Sequence, residues 1–332
     1  MQHYPSWFGL TSSHNANFIN QVSFADAVTT ASPAIVNLYT SKYVNKEENP
    51  LLNDPKFSLG SAVIMSKEGY LLTNNHVTDG ADQIIVALKD GRETAATLIG
   101  SDPETDLAVL KIDLDNLQTI TLGHSDSIRI GDIALAIGNP FGVGQTVTMG
   151  IISATGRNQL GLNTYEDFIQ TDAAINPGNS GGALLNARGH LIGISTAIFS
   201  KSGGSQGIGF AIPVKLANYI MHAIIKDGKV TRGWLGIEVQ TLTPELAESL
   251  HAKNFSGILV AGVYSHSPAE KAGLQPGDLI LSINNKKATD WHTSMDQVAL
   301  TKPGQKVTIN IVRNGQVFQL MTKIGLRPPF TK

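Results

Sequence analysis

The sequence contains no cysteine. That removes disulfides, a cysteine nucleophile and the thiolate ligands of most structural metal sites. Such a chain holds its strands together by packing alone. Freedom from thiols suits a compartment where stray oxidation is a hazard, such as a bacterial periplasm. Charge of one sign is also missing: 25 Lys and Arg stand against 27 Asp and Glu, for a net charge of -2. No basic stripe points to nucleic acid, and no acidic block to a solvating tail. No apolar run approaches the ~18–20 residues of a membrane-spanning helix. Met1 to Asn20 is polar and carries no signal-peptide pattern, which leaves a cytosolic chain or one separated from a targeting segment.

What is present is a succession of short β-rich runs. The chain, 332 residues long, is long for one core and comfortable for two. Gly60–Met65 and Tyr70–Thr73 flank a hairpin signal, Ser66-Lys67-Glu68-Gly69. Ile84–Leu88 and Ala108–Ile112 follow, and a second set comprises Ile133–Ile137, Val147–Ala154, Ala183–Leu185, Leu191–Ser195 and Gly209–Ile212. Two consecutive β-barrels are expected. The period then changes: Leu216, Tyr219, Ile220, Ala223 and Ile224 recur at helical spacing over Pro213–Lys226, with Gly228 as C-cap. From Gly233 to about Leu326 a small α/β module is expected. In it Val307–Ile311 alternates with period two, Asn314-Gly315 makes a tight turn, and Ser294–Leu300 forms a short helix. The expected division is an N-terminal extension (1–22), a mainly β double-barrel domain (23–229), the α/β module (230–326) and a tail (327–332).

Gly178-Asn179-Ser180-Gly181-Gly182 is the string that carries chemistry. A nucleophilic serine needs an exposed hydroxyl and neighbouring amides aimed at the oxyanion it generates. Flanking glycines permit that open turn, and the amides of Gly178 and Ser180 would form the oxyanion hole. A glycine-rich turn with an idle serine is the bland alternative. Two further features outweigh it: His76, where the strand ending Leu72-Thr73 breaks into Asn74-Asn75-His76, and Asp106, immediately before the apolar strand Leu107-Ala108-Val109-Leu110. The order His76, Asp106, Ser180 is that of the chymotrypsin triad, with histidine and carboxylate in one lobe and serine in the next. The pentapeptide also fits the Gly-x-Ser-x-Gly elbow of α/β-hydrolases. That elbow requires a helix after the serine, whereas Ala183-Leu184-Leu185 reads as strand. No His-Glu-x-x-His or other ligand spacing is found, and no metal or cofactor is called for.

These strings resemble the HtrA family of trypsin-like proteases. The likeness runs through Thr73–Val77, Ser101–Lys111, Ala136-Ile137-Gly138-Asn139-Pro140-Phe141 and Gln170-Thr171-Asp172-Ala173 to Gly182. A single C-terminal domain and a short segment between Tyr43 and Leu59 are similar to the DegS/AlgW type. The resemblance implies a chymotrypsin-like double-barrel protease domain followed by a PDZ domain, in a homotrimer in which Phe24 is either near intersubunit contacts or an ordinary core residue. It implies a periplasmic location with an inner-membrane anchor that this sequence does not carry. It also implies activation by C-terminal peptides of misfolded outer-membrane proteins and a first cut in a transmembrane anti-sigma factor.

Arg232–Ile237 looks like the PDZ carboxylate-binding loop. Trp234, Leu235, Gly236 and Ile237 would then meet the peptide, and the strand from Gly236 to Gln240 would pair with it. Leu235, Ile237, Met295 and Val298 would line the pocket for its last side chain, although Met295 and Val298 suit the core equally. Arg157, read as lying on a loop before Asn158, aligns with the family's sensor arginine, and Phe141 and Gln170 with its activation cluster. A solvated surface charge is the alternative for Arg157.

Three functions compete on this reading: a peptide-activated regulatory serine endopeptidase, a broad quality-control protease, and a binding protein or chaperone built on an inactive protease shell.

Overall fold

The computed structural model describes residues 23–42, 56–142, 144–158, 160–198, 204–240, 242–252, 255–288 and 291–328. After a short helix α1 (Ala25–Ala31), the first lobe is an antiparallel sheet of seven strands: β1 (Ile35–Lys42), β2 (Lys56–Ile64), β3 (Tyr70–Thr73), β4 (Gln83–Ala87), β5 (Glu93–Ala95), β6 (Thr97–Asp102) and β7 (Leu107–Lys111). A one-turn helix α2 (Asn75–Thr78) follows β3. The strand order is β5-β4-β1-β2-β3-β7-β6. Its two edges, β5 and β6, are separated in the chain by Ala96 alone, so the sheet curls into a barrel whose ladder is open at that seam.

The second lobe is a closed six-stranded barrel, β10-β13-β12-β11-β8-β9. Its strands are β8 (Ile133–Gly138), β9 (Thr146–Arg157), β10 (Phe168–Thr171), β11 (Ala183–Leu185), β12 (Leu191–Ile198) and β13 (Gly209–Pro213).

Burial explains why several strands read as continuous apolar runs. Ala62, Val63 and Ile64 of β2 are all fully buried. Ala62 and Ile64 face the interior of the first lobe with Leu38, Leu71 and Leu110. Val63 faces the opposite way, into a core shared with Leu135 and Ile137 of the second lobe. A strand covered on both faces loses the hydrophobic-polar alternation. The second barrel is filled by Ile152, Ile169, Leu184, Ile192 and their neighbours.

Helix α3 (Val214–Asp227) packs across the shared core and ends at Gly228, which has φ +71° and donates its amide to the Ile224 carbonyl. Its buried face is Val214, Ala217, Ile220, Met221 and Ile224. The expected face is therefore turned: Leu216 is partly buried and Tyr219 is 40% exposed. Small Ala217 allows the close approach, and Val214 starts the stripe a residue pair earlier than the spacing suggested. Phe24 sits beside α1, partly buried against the shared core.

The C-terminal unit contains β14 (Gly233–Trp234), β15 (Ile237–Gln240), β16 (Ile258–Val263), β17 (Leu279–Ile283), β18 (Lys286–Lys287), β19 (Lys306–Arg313), β20 (Gln316–Lys323) and β21 (Gly325–Leu326), with α4 (Pro244–Ser249), α5 (Pro268–Lys271) and α6 (Trp291–Leu300). The sheet runs β15-β16-β17-β19-β20, which leaves β15 at an edge. Helix α6 begins at Trp291, earlier than the expected Ser294. The β19–β20 turn has φ +50° at Asn314 and +77° at Gly315, as an Asn-Gly hairpin requires.

β14 pairs with β21, so the unit enters and leaves at one point. Flanking that pair, Arg232 makes a two-bond contact with Asp102 at 2.8 and 2.5 Å. Arg327 contacts Glu104 at 3.3 Å and the Tyr165 hydroxyl at 2.7 Å. Both guanidinium groups stack on the Tyr165 ring, at 4.4 and 5.1 Å from its centroid. Burial pushes the Tyr165 phenol up, so it stays protonated. Burial works against the charge on Arg232, yet the hydrogen bonds and charge of Asp102 outweigh it and raise the pKa. Among the described residues, no helix is long and apolar enough to cross a membrane.

Candidate active site

The break from β3 into α2 places His76 on a one-turn helix, and the turn from β6 into β7 places Asp106 beside it. The Asp106 carboxylate accepts from the His76 amide at 2.9 Å through Oδ1 and from the His76 ring Nδ1 at 2.7 Å through Oδ2. A carboxylate oxygen accepts here, so Nδ1 carries the proton, and in the neutral imidazole Nε2 is the nitrogen with the lone pair. The imidazole is half exposed at 50%, while the carboxylate is 13% exposed. The base thus looks into solvent while its orienter is held inside.

A third donor reaches the carboxylate from the other lobe. Thr196 on β12 donates its hydroxyl to Asp106 Oδ2 at 2.8 Å. Its own carbonyl accepts from Ser180 Oγ at 3.3 Å. Thr196 therefore touches both ends of the predicted triad, and the structure brings His76, Asp106 and Ser180 to one cleft between the lobes. Ser180 Oγ rests on Thr196; among the described residues it makes no hydrogen bond to His76.

The frame around Ser180 is tightly built. Gly178 has φ +101° and Gly181 φ +80°. A Cβ on Gly181 would stand 2.1 Å from the Ser61 carbonyl oxygen, so only glycine fits. Ser61 donates its amide to the Ser180 carbonyl at 2.8 Å and its hydroxyl to the Gly178 carbonyl at 2.7 Å. The Asn139 amide in turn donates to Ser61 Oγ at 3.0 Å. Asn179 and Gly182 spend their amides within the turn and Gly181 donates to Ser195, all at 2.8–2.9 Å. The amides of Gly178 and Ser180 have no acceptor among the described residues, as donors reserved for a ligand would be.

Arg157 is the last residue of β9, opposite Phe168, and not part of a loop. Its Nε donates to Gln170 Oε1 at 2.8 Å, so two of the three expected regulatory residues meet. The third, Phe141, lies in the 3-10 turn Pro140–Gly142, and its side chain falls outside the described residues. The neighbouring segment is clasped by Glu166, whose carboxylate accepts from the amides of Leu160 and Leu162 at 2.6 Å and Asn163 at 3.1 Å.

In the C-terminal unit Gly236 has φ +81°, and a Cβ there would meet Ser267 Cβ at 2.3 Å. Trp234 packs against Tyr264 in a tilted arrangement, with ring centroids 5.9 Å apart. Leu235 and Val298, expected in a pocket wall, are 2% and 4% exposed within the unit's core. Ile237 and Met295 pack against that core from its rim, partly buried. Among the described residues no strand pairs with the outer edge of β15, which leaves a row of backbone groups beside this rim.

Sequence reasoning missed Thr196, Ser61 and Asn74, all of which touch the site. None carries a local signal: each works through a hydrogen bond to a distant part of the chain.

Residues 60–194 match the trypsin-like peptidase domain family, and residues 233–324 the PDZ domain family. A solved structure described as the HtrA-type protease AlgW with tripeptide is 69% identical, covering 92% of this chain and 98% of its own, with a TM-score of 0.85. Serine endoprotease DegS of Haemophilus influenzae is 43% identical over 94% of this chain and 91% of its own length. A probable periplasmic serine endoprotease DegP-like of Chlamydia pneumoniae is 48% identical over 81% of this chain, but the match spans only 55% of that longer relative. One peptidase unit followed by one PDZ domain, in a likeness that runs nearly end to end, makes this chain a member of the HtrA family of serine proteases, of the DegS/AlgW type.

Proposed function

We propose that the chain is a serine endopeptidase acting through His76, Asp106 and Ser180. Ser180 Oγ swings from the Thr196 carbonyl to His76 Nε2, gives up its proton and attacks a peptide carbonyl. The amides of Gly178 and Ser180 receive the oxyanion. His76 then protonates the leaving amine, and water repeats the sequence on the acyl-enzyme. Asp106 holds the imidazole in the Nδ1-protonated tautomer and stabilises its charged form. The observation that carries this reading is the Asp106–His76 contact at 2.7 Å, joined through Thr196 to the serine.

The regulation we propose follows the family type. Residues 23–229 form the peptidase, and 230–326 a PDZ domain that captures the C-terminus of an exposed outer-membrane-protein peptide. The peptide adds a strand to the edge of β15, its carboxylate meets the loop at Trp234–Gly236, and Ile237 and Met295 flank its last side chain. The signal reaches the peptidase near Arg157 and Gln170, whose contact supports a sensor role for that corner. Converting a mostly resting population into a mostly active one takes ~5.5 kcal/mol of differential binding, roughly 2 kcal/mol per site when shared across a homotrimer. The substrate would be a transmembrane anti-sigma factor, cut in the periplasm by an enzyme anchored to the inner membrane. Relatives named DegP-like favour a second reading, a protease that clears unfolded periplasmic proteins.

A fluorophosphonate probe should label the purified chain, and Ser180→Ala should abolish labelling. Casein should be cleaved slowly, and peptides ending in apolar or aromatic residues should accelerate cleavage of a specific substrate. Persistent labelling of Ser180→Ala would remove the catalytic reading. Rapid casein digestion without peptide would favour the quality-control reading.

A further inference from the structure

Asn74 stands at the N-cap position of α2, where an asparagine side chain ordinarily accepts a bond from the free amides of its own helix. Here it makes no such cap. Fully buried, it reaches instead to the turn between β6 and β7 and donates Nδ2 to the Asp106 carbonyl at 2.8 Å. The acceptor is a carbonyl oxygen, so only the amide's NH2 side can make this bond, and the orientation of the group is fixed. The Asn75 backbone amide donates to the same carbonyl at 3.2 Å. Asn74 Oδ1 has no partner among the described residues, which leaves the link to Asp106 as the side chain's one polar contact.

The backbone of Asp106 explains what that contact does. Its φ is +59°, a left-handed conformation that residues other than glycine seldom adopt. Held there, Asp106 turns one carboxylate oxygen to the His76 amide and the other to the His76 ring. Relaxation of the turn toward negative φ would rotate the carboxylate away from both. Two donors from the Asn74–Asn75 segment grip the main chain of Asp106, while His76, on the same tight turn, and Thr196 grip its side chain. The imidazole and its orienter are thereby fastened to one short piece of backbone.

We infer that Asn74 is a positioning residue: it locks the Asp106 turn in its left-handed form and so sets the carboxylate against the imidazole. This rests on the proposed roles of His76, Asp106 and Ser180. Asn74→Leu keeps the branched outline at a larger volume and lacks the donor, and Asn74→Ala removes the side chain beyond Cβ.

The test measures fluorophosphonate labelling of the full chain, separating the maximal rate from the half-saturating probe concentration, beside the folded fraction at the assay temperature and a Ser180→Ala control. A misplacement on the ångström scale costs about 100-fold. The maximal rate should therefore fall by about 10- to 100-fold in both variants, with half-saturation and folded fraction unchanged. A normal maximal rate in either folded variant overturns the inference. So does a loss matched by unfolding, or one confined to half-saturation. Labelling that survives in Ser180→Ala condemns the catalytic reading instead, so the two failures are distinguishable.

Discussion

At the scale of single residues, the site depends on side chains that bridge the lobes. Thr196 is the clearest: its hydroxyl is the carboxylate's third donor, and its carbonyl is the resting place of Ser180 Oγ. Thr196→Val keeps the shape and deletes the donor. A hydrogen bond to a charged group contributes about 1.5–3 kcal/mol. If that loss falls on the transition state, kcat drops roughly 10- to 100-fold with little change in KM, which steady-state kinetics on a peptide substrate will read. His76, Asp106 and Ser180 were legible in the sequence because each has a local setting: a strand breaking, a strand beginning, a serine among glycines. Thr196 was not, because nothing in Ile194-Ser195-Thr196 distinguishes a strand threonine that reaches a carboxylate from one that faces a neighbour. Ser61 and Asn74 were hidden for the same reason.

Among the elements, local periodicity was a good guide to existence and a poorer one to facing. Helix α3 and its glycine cap were visible, yet its buried stripe is rotated, since the helix meets a core shared by two barrels rather than a single sheet. β2 gave no alternation because both its faces are covered. The one- and two-turn helices α1, α2, α4 and α5 were invisible, being too short for a 3.6-residue period to repeat. The loop before β15 belongs to this scale as well. Gly236 needs its positive φ and leaves no room for a Cβ beside Ser267, which caps α5. Gly236→Ala should therefore push the loop and α5 apart. We expect at least about a tenfold loss of affinity for a C-terminal peptide, equal to about 1.4 kcal/mol, measured by fluorescence anisotropy. Labelling of Ser180 without peptide should stay unchanged.

For the molecule as a whole, the two units meet through a charge-balanced junction: Arg232 and Arg327 against Asp102 and Glu104, with both guanidinium groups against the Tyr165 ring. Nothing in the sequence links Arg232, Arg327, Asp102, Glu104 and Tyr165, and only the fold gathers them. The Arg232 and Asp102 side chains are nearly buried, so Arg232→Ala strands a carboxylate away from water. Breaking a buried pair in this way costs about 3–5 kcal/mol. Urea titration followed by far-UV circular dichroism should show the peptidase transition moving to lower denaturant. Arg232→Lys should recover only part of the loss, because an ammonium cannot reproduce the two-bond fork.

The pairing of β14 with β21 has a practical corollary. Since the first and last strands of the C-terminal unit are zipped to each other, the unit hangs from the peptidase like a charm from a clasp. It can be cut out and exchanged for another module whose ends lie side by side, provided the two arginines at the clasp are kept. Such chimeras would test whether peptide capture by this unit governs the peptidase.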